Sequence, residues 1–291
     1  MKALVTGSSG FLGSHIVDRL RDLDCKVVAY DLKKPHRADV EIVLGDIKDR
    51  EKLSNAASEC DYIFHNAAIA SIEDTRKAPV ETMEVNVMGT VNVLEAARIA
   101  GVKRCAFASS VYVSGDTGSF YKVSKVTGEL LCETYEKEFG MPYTLIRYGS
   151  LYGRRSSDWN MVYNICKQLL EKGEYRYYGS GEEVREFVNV EDAARESVNV
   201  TMDEQFKNKI VMITGHQRMR MKDFFMMLSE MLPNDVKIYY ENHDHEHYKI
   251  TPYKYRRELP IRVNMAKFID IGEGILACLE EVEREIEGRE L

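Results

Sequence analysis

Residues 1–13 have the sequence MKALVTGSSGFLG, and this stretch predicts the fold of the chain. A short apolar strand runs into Gly7, Gly10 and Gly13, and helical periodicity follows. In such a turn the first glycine allows the bend, the second lets a pyrophosphate approach the backbone, and the third lets the helix pack against the strand. The helix start offers free N–H groups to that phosphate. The stretch therefore predicts a dinucleotide-binding turn.

Strands and helices alternate through the first half of the chain. After the first strand, apolar strands are predicted over 26–30, 40–44, 62–65 and 105–108, with helices over 49–59 and 79–100. This alternation implies right-handed crossovers and helices on both faces of a parallel sheet. We predict an α/β protein with a Rossmann-type doubly wound parallel sheet and a smaller mixed α/β C-terminal portion. The expected parts are a dinucleotide-binding domain over 1–150, with a return segment near 186–215, and a substrate-binding portion over 151–291.

The overall composition argues against several classes of protein. The 291 residues carry a net charge of −7 with both signs mixed, so neither a nucleic acid nor a membrane surface is expected as a partner. No apolar run approaches the length that spans a bilayer. The six cysteines are scattered without a Cys-x-x-Cys pair, which is typical of reduced thiols. We expect a cytoplasmic protein.

Acidic residues follow the second and third predicted strands. Asp31 ends the second strand, where a carboxylate binds ribose hydroxyls and repels a 2′-phosphate. This favours NAD over NADP as cofactor, although Lys33 and Lys34 directly after it can hold a 2′-phosphate. Asp46 is expected to bond the adenine amino group while Ile47 packs on the ring. The alternative for Asp46 is a cap of the next helix.

The histidines are expected to be structural. His65 ends the fourth strand and is interpreted as a packed side chain; the small residues 66–69 after it leave room for a ligand over the sheet edge. His243, His245 and His247 alternate, so they would share one face of a strand. Their spacing matches no closed zinc pattern, and we predict no metal site.

A serine, a tyrosine and a lysine form the predicted catalytic group. Ser110 ends the fifth strand, and Tyr121 and Lys125 are spaced to share one face of a helix. An ammonium beside a phenol favours the phenolate, so we expect the pKa of Tyr121 to fall from about 10 towards neutrality. Tyr121 then exchanges the proton of a sugar or alcohol hydroxyl while hydride moves at carbon, and Ser110 bonds the same oxygen. The alternative is a surface Tyr and Lys.

These pieces occur in the order and spacing of a known family. The motifs are TGSSGFLG, Asp31, GDI, HNAA, VNVMGT, ASS and YKVSK, then LIRYGSLYG at 145–153 and GSGEEVREFVNVEDAA at 179–194. Over nearly its whole length the sequence resembles the nucleotide-sugar epimerase/dehydratase branch of the extended short-chain dehydrogenases/reductases. The resemblance implies an NAD-dependent enzyme whose substrate is a nucleotide-diphosphate sugar.

The resemblance also implies roles for individual positions. On the cofactor side these are Gly7, Gly10, Phe11, Leu12, Asp31, Asp46, Ile47, Ala67, Ala68, Asn86, Tyr121 and Lys125. The catalytic positions are Ser110, Tyr121 and Lys125, and the substrate positions are Ser110, Ser150, Arg185 and Arg257. Arg185 is expected to bind the substrate diphosphate, because its guanidinium group can pair with two phosphate oxygens. The alternative is a surface ion pair with a neighbouring glutamate. Arg256 or Arg257 is a second phosphate contact.

Departures from the family pattern narrow the expected activity. The connection between Ser110 and Tyr121 is short, and Val111 stands where dehydratases carry an acid, so 4,6-dehydration is not expected. Ser150 replaces an asparagine frequent in 4-epimerases. We expect epimerisation, at C4 through a transient keto sugar. The alternatives are a net 4-keto-sugar reductase or dehydrogenase and a non-catalytic dinucleotide-binding regulator. The resemblance further implies a homodimer through the helices at 80–100 and 121–139.

Overall fold

The computed structural model describes residues 1–241 and 261–286. The strands are β1 (Lys2–Thr6), β2 (Lys26–Asp31), β3 (Glu41–Leu44), β4 (Tyr62–His65), β5 (Arg104–Ser110), β6 (Tyr143–Tyr148), β7 (Ser150–Tyr152), β8 (Glu174–Tyr177), β9 (Val184–Asn189), β10 (Lys209–Ile213), β11 (Arg218–Arg220), β12 (Lys237–Tyr240) and β13 (Ile261–Arg262). The helices are α1 (Phe11–Asp22), α2 (Arg50–Ala57), α3 (Ile72–Lys77), α4 (Pro79–Met83), α5 (Gly89–Ala100), α6 (Ser119–Phe139), α7 (Met161–Lys172), α8 (Val190–Met202), α9 (Met221–Met231) and α10 (Ile271–Ile286).

The central sheet confirms the predicted doubly wound architecture. Eight strands lie in the order β13-β10-β6-β5-β4-β1-β2-β3, and every pair is parallel. The chain order reverses between β1 and β4, so the carboxyl ends of these strands open a crevice. Sheets of this type bind ligands at that crevice. The glycine turn follows β1 at this edge, and β5 ends at the same edge one strand beyond β4.

The glycine turn brings α1 close to the sheet, as its sequence predicts. Gly7 has a φ of +69°, and a Cβ there would lie 2.7 Å from the backbone nitrogen of Ala67. A Cβ at Gly13 would lie 2.0 Å from the carbonyl oxygen of Gly7. Both positions therefore require glycine, the first for the bend and its approach to the loop after β4, the second for the contact between helix and turn.

Two apolar layers cover the two faces of this sheet. On one face α1 and α8 contribute side chains such as Ile16, Leu20 and Val198. On the other face α2, α5 and α6 contribute side chains such as Leu53 and Leu94. Each such aliphatic side chain contributes about 1.5–3 kcal/mol when it is fully buried. The helices are thereby fixed against the sheet, and with them the side chains that face the crevice.

The second half of the chain builds a third apolar cluster and two small sheets. The small sheets have the orders β11-β9-β7 and β12-β8. Ile271, Ile275, Leu279 and Val282 of α10 are buried in the cluster, as their spacing predicts. The helix expected from residue 156 begins at 161, because the Asn160 side chain accepts from the amides of the first turn. No helix of the described residues is long and apolar enough to span a bilayer. The division of the chain near residue 150 stays a prediction.

The long helix expected over 79–100 contains an irregular turn. Between α4 and α5 lies a π-helical segment, Glu84–Met88. Single π turns inside helices are frequent at functional sites. Asn86, a predicted site residue, lies in this turn and is buried.

Candidate active site

The carboxyl ends of three neighbouring strands form the predicted cofactor side of the crevice. Thr6 of β1 is in register with Tyr30 of β2 and with His65 of β4. Asp31 follows directly, and its carboxylate accepts from the Ser9 amide at 2.9 Å and from the Lys33 amide at 3.1 Å. Asp31 therefore ties the glycine turn to the end of β2.

The glycine turn fits a pyrophosphate group. Gly10 is the N-cap of α1 and has no side chain that could accept from the first-turn amides. Among the described residues, a Cβ at Gly10 would approach only the carbonyl oxygen of Gly7, at 3.1 Å. Phe11 and Leu12 open the helix at this point and are buried. The turn thus presents open backbone and a helix N-terminus, the donor set that suits an anion.

Asp46 and Ile47 follow β3, which is paired with β2. The Asp46 carboxylate accepts from the Lys48 amide at 2.9 Å, and its side chain stays 38% exposed. The cap of α2 is Asp49, which accepts from the Lys52 amide at 3.0 Å. The alternative role of Asp46 as a helix cap is therefore wrong. Ile47 is buried, and the adenine contacts of this pair stay a prediction.

The loop after β4 is held against α6. Ala67 and Ala68 are half-buried at its start. Asn86 accepts from the Ile69 amide at 2.8 Å and donates to the Ile69 carbonyl at 2.9 Å. It also donates to the Ser124 hydroxyl at 3.0 Å. The Asn86 side chain is thus engaged with protein groups, and its effect on a bound cofactor would come through the position of this loop.

The structure brings Ser110, Tyr121 and Lys125 together. Ser110 ends β5 and is buried, and its hydroxyl is hydrogen-bonded to that of Tyr121 on α6. The Lys125 ammonium donates to the Ala108 carbonyl at 2.7 Å and lies 5.7 Å from the centroid of the Tyr121 ring. Lys125 also lies 5.0 Å from the Phe107 ring centroid. The alternative of a surface Tyr and Lys is wrong, because Lys125 is only 5% exposed.

The charge state of this trio differs from the expectation. Burial raises the pKa of Tyr121 to about 12, and the Ser110 hydrogen bond lowers it only in part. Burial lowers the pKa of Lys125 to about 8, against the effect of Glu129, which raises it. The expectation that Lys125 alone moves the pKa of Tyr121 towards neutrality is therefore wrong. Desolvation of the phenolate outweighs an ammonium that faces the ring.

His65 confirms its interpretation as a packed residue. Its Nδ1 is 2.8 Å from the Thr6 hydroxyl and its Nε2 is 2.9 Å from the Thr90 hydroxyl. Burial, followed by the charge of Lys125, lowers the pKa of His65 to about 3. The imidazole is neutral at physiological pH and fixes the ends of β1 and β4.

The predicted substrate residues lie on two paired strands. Ser150 opens β7 and is in register with Phe187 of β9. Arg185 of β9 is buried and donates to the Val184 carbonyl at 3.0 Å, so it does not lie on the surface. Beside it, the Glu183 carboxylate accepts from the Ser180 and Gly181 amides and fixes the turn before β9. Arg256, Arg257 and the histidines at 243, 245 and 247 lie outside the described residues.

One buried ion pair at the site was missed from the sequence. Arg147 of β6 donates to Glu129 of α6 through two nitrogens, at 2.9 Å and 2.7 Å. Two signals pointed to it: an arginine inside the apolar strand of LIRY, and a glutamate four residues after Lys125 on the same helix face.

Comparison with known proteins identifies the family of this chain. Residues 3–213 match the model of the NAD dependent epimerase/dehydratase family. The chain belongs to this family. It is 29% identical to a putative UDP-glucose 4-epimerase of Methanocaldococcus jannaschii, over 85% of this chain and 88% of that protein. It is 27% identical to a UDP-N-acetyl-alpha-D-glucosaminuronate decarboxylase of Bacillus cytotoxicus, over 81% and 82%.

Solved structures share the fold of this family member. A UDP-glucose 4-epimerase of Thermotoga maritima, solved with UDP-glucose, matches 98% of this chain and 100% of its own at 24% identity and a TM-score of 0.84. A UDP-glucose 4-epimerase of Thermus thermophilus, solved with NAD, matches 97% and 99% at 24% identity and a TM-score of 0.81. The protein is thus an NAD-dependent enzyme with a Rossmann-like fold.

Proposed function

We propose that this enzyme is an NAD-dependent epimerase of a nucleotide-diphosphate sugar, acting at C4 through a transient 4-keto sugar. The observation that supports it is the group formed by Ser110, Tyr121 and Lys125 at the carboxyl end of β5, two strands from β1 and its glycine turn. A phenol, a hydroxyl and an ammonium are the groups needed to move the proton of a secondary alcohol. The 4-epimerases among the relatives favour this reaction.

In this mechanism the glycine turn, Asp31 and Lys125 would hold the cofactor. When bound, NAD would supply the redox chemistry, a reversible hydride transfer at C4. Tyr121 accepts the proton of the 4-hydroxyl and gives it back after the keto sugar has turned over. Ser110 donates a hydrogen bond to the same sugar oxygen and keeps it within reach of the phenol. The proton and hydride both return to the sugar, so the reaction has no net redox change.

Arg185 and Ser150 are proposed to bind the substrate away from the reacting carbon. The Arg185 guanidinium is buried on β9, where a diphosphate would meet it without competing bulk water. Val111, which follows Ser110, is buried and apolar, so no acid stands at this position to assist loss of water. Epimerisation is therefore favoured over 4,6-dehydration.

The function is tested by turnover on a panel of UDP, GDP, dTDP and CDP sugars without added cofactor. We expect one sugar to be converted to its C4 epimer, detected by NMR. Tyr121→Phe should lower kcat by about 10²–10⁴-fold. The matched control is Tyr239→Phe, since Tyr239 is 40% exposed and pairs through its ring with Arg176. Full activity of Tyr121→Phe would refute the mechanism, and steady consumption of NADH with a 4-keto sugar would establish the reductase instead.

We also propose a homodimer formed through α6 and the helices over 79–100. On α6 Val123 and Leu130 are 50% and 56% exposed and lie seven residues apart, and Val80 and Met88 are 72% and 55% exposed. Apolar side chains repeated along one helix face are typical of helix–helix interfaces. Leu130→Glu should shift the sedimentation coefficient from dimer to monomer, whereas Met226→Glu on α9 should not. A monomeric parent protein would contradict the proposal.

A further inference from the structure

The ion pair between Glu129 and Arg147 lies directly behind the catalytic trio. The two side chains are 9% and 8% exposed. Arg147 approaches Oε1 through Nε at 2.9 Å and Oε2 through Nη2 at 2.7 Å, which is the two-pronged geometry of a strong pair. Burial of such a pair contributes little net stability, because desolvation of both charges offsets their attraction. Its presence here therefore calls for a role besides stability.

The pair joins every segment that carries a catalytic group. The Ser109 hydroxyl donates to Oε1 of Glu129 at 2.5 Å, and Ser109 is in register with Arg147 across β5 and β6. The third guanidinium nitrogen of Arg147, Nη1, is 3.4 Å from the hydroxyl of Ser114, which lies in the turn that follows Ser110. The end of β5, the inner face of α6 and the connection between them are thus fixed to one another.

The pair also adds two opposite charges close to Lys125, whose ammonium lies 5.7 Å from the centroid of the Tyr121 ring. Glu129 is one helical turn beyond Lys125 and raises its pKa, against the larger effect of burial. The other titratable groups here are neutral at physiological pH. Burial lowers the pKa of His65 on β4 to about 3. Burial raises the pKa of the thiols on β5 and α6, to about 12 for Cys105 and well above its usual value for Cys132. Among the described residues, the buried charged side chains around this end of β5 are Lys125, Glu129 and Arg147.

We propose that Glu129 and Arg147 are positioning residues which, as a charge-balanced pair, set the pH range in which Tyr121 works as a base. The proposal rests on the proposed acid–base role of Tyr121. Loss of the Glu129 charge leaves an extra positive charge and favours the phenolate. Loss of the Arg147 charge leaves an extra negative charge and disfavours it. The two single changes therefore act in opposite directions, which a merely structural role would not produce.

The test compares Glu129→Gln, Arg147→Gln and the double variant. In the pH profile of kcat/KM, the apparent pKa of the acid limb should decrease by about one unit for Glu129→Gln. For Arg147→Gln it should increase by about one unit. The double variant should return to the wild-type limb. The same order is expected for the NMR titration of the ¹³Cζ-labelled Tyr121 side chain in the NAD⁺ complex. Glu73→Gln, which breaks the exposed pair between Glu73 and Lys77, should leave both readouts unchanged.

Equal shifts in both single variants, or none in correctly folded protein, would overturn the proposal. If a single variant does not fold, Arg147→Lys and the double variant still decide it, because both keep the charge balance and should keep the wild-type limb while kcat falls. A shift of the acid limb in either variant would refute the proposal that the two charges act as a balanced pair. If the wild-type protein converts no nucleotide sugar, the proposed function fails, whereas the NMR titration of Tyr121 still tests the pair.

Discussion

Binding of NAD⁺ is predicted to lower the pKa of Tyr121. Without cofactor, burial raises this pKa to about 12, so at pH 8 only about one molecule in 10⁴ carries the phenolate. For an assumed separation of about 5 Å and an effective dielectric constant of about 20, a unit positive charge would stabilise the phenolate by about 3 kcal/mol. That corresponds to a decrease of about two pKa units. We therefore expect a pKa of about 10 or below with NAD⁺, and a value near 12 with NADH, whose nicotinamide is neutral.

The assay is an NMR titration of protein labelled with ¹³C at the tyrosine Cζ. The chain has 17 tyrosines, and the spectrum of Tyr121→Phe identifies the Tyr121 signal. Spectra are recorded from pH 8 to about 10.5 without cofactor, with NAD⁺ and with NADH. With NAD⁺ the Tyr121 signal should reach its midpoint near pH 10 or earlier. In the other two series it should stay at the phenol position across the whole range.

Two results would refute this reasoning. Identical titration with NAD⁺ and NADH would show that the nicotinamide charge does not act on Tyr121. A Tyr121 signal that already titrates below pH 9 without cofactor would show that Lys125 activates the phenol by itself, in spite of its position 5.7 Å from the ring centroid.

Three further changes test other parts of the structure. Gly13→Ala should lower the free energy of unfolding by about 3 kcal/mol, measured by thermal unfolding, because its Cβ would lie 2.0 Å from a backbone oxygen. The control is Gly140→Ala, at a φ of +66° with nothing near the added Cβ, which should lower it by about 1 kcal/mol. Asp31→Asn should raise the affinity for NADP relative to NAD by roughly tenfold, measured by calorimetry, because it removes repulsion of the 2′-phosphate. Burial would raise the pKa of Glu183, but hydrogen bonds led by the Ser180 amide lower it to about 2, from 4.5. Its charge thus stabilises the fold above about pH 4.5, by about 3 kcal/mol, and this contribution is lost as the pH falls towards about 2; Glu183→Gln should remove that part of the pH dependence of the melting temperature.

The features that could be predicted from the sequence are those that a short segment determines by itself. The strand, the glycine turn and the start of α1 follow from backbone constraints inside 13 residues, and Gly7 and Gly13 occupy the positions that those constraints require. In the same way the four-residue spacing of Tyr121 and Lys125 placed them on one inner helix face. The buried residues of α10 likewise followed from their helical spacing.

The features that could not be predicted depend on contacts between distant segments. The pairing of Glu129 with Arg147 requires α6 to lie over β6, which no local pattern states. The pKa of Tyr121 is governed by how completely the fold removes its hydroxyl from water, and spacing along a helix carries no information on that.

The same desolvation gives the site a preference for uncharged groups before its cofactor binds. Burial is the largest influence on the pKa of Tyr121, Lys125 and His65, and in each case it favours the neutral form. Glu129 and Arg147 do not alter this preference as long as their charges balance. In the proposed mechanism a positive nicotinamide would bring a charge that favours the phenolate. On this proposal proton transfer by Tyr121 would be coupled to occupation of the cofactor site by the oxidised form, so that the phenolate would form when a hydride acceptor is also present.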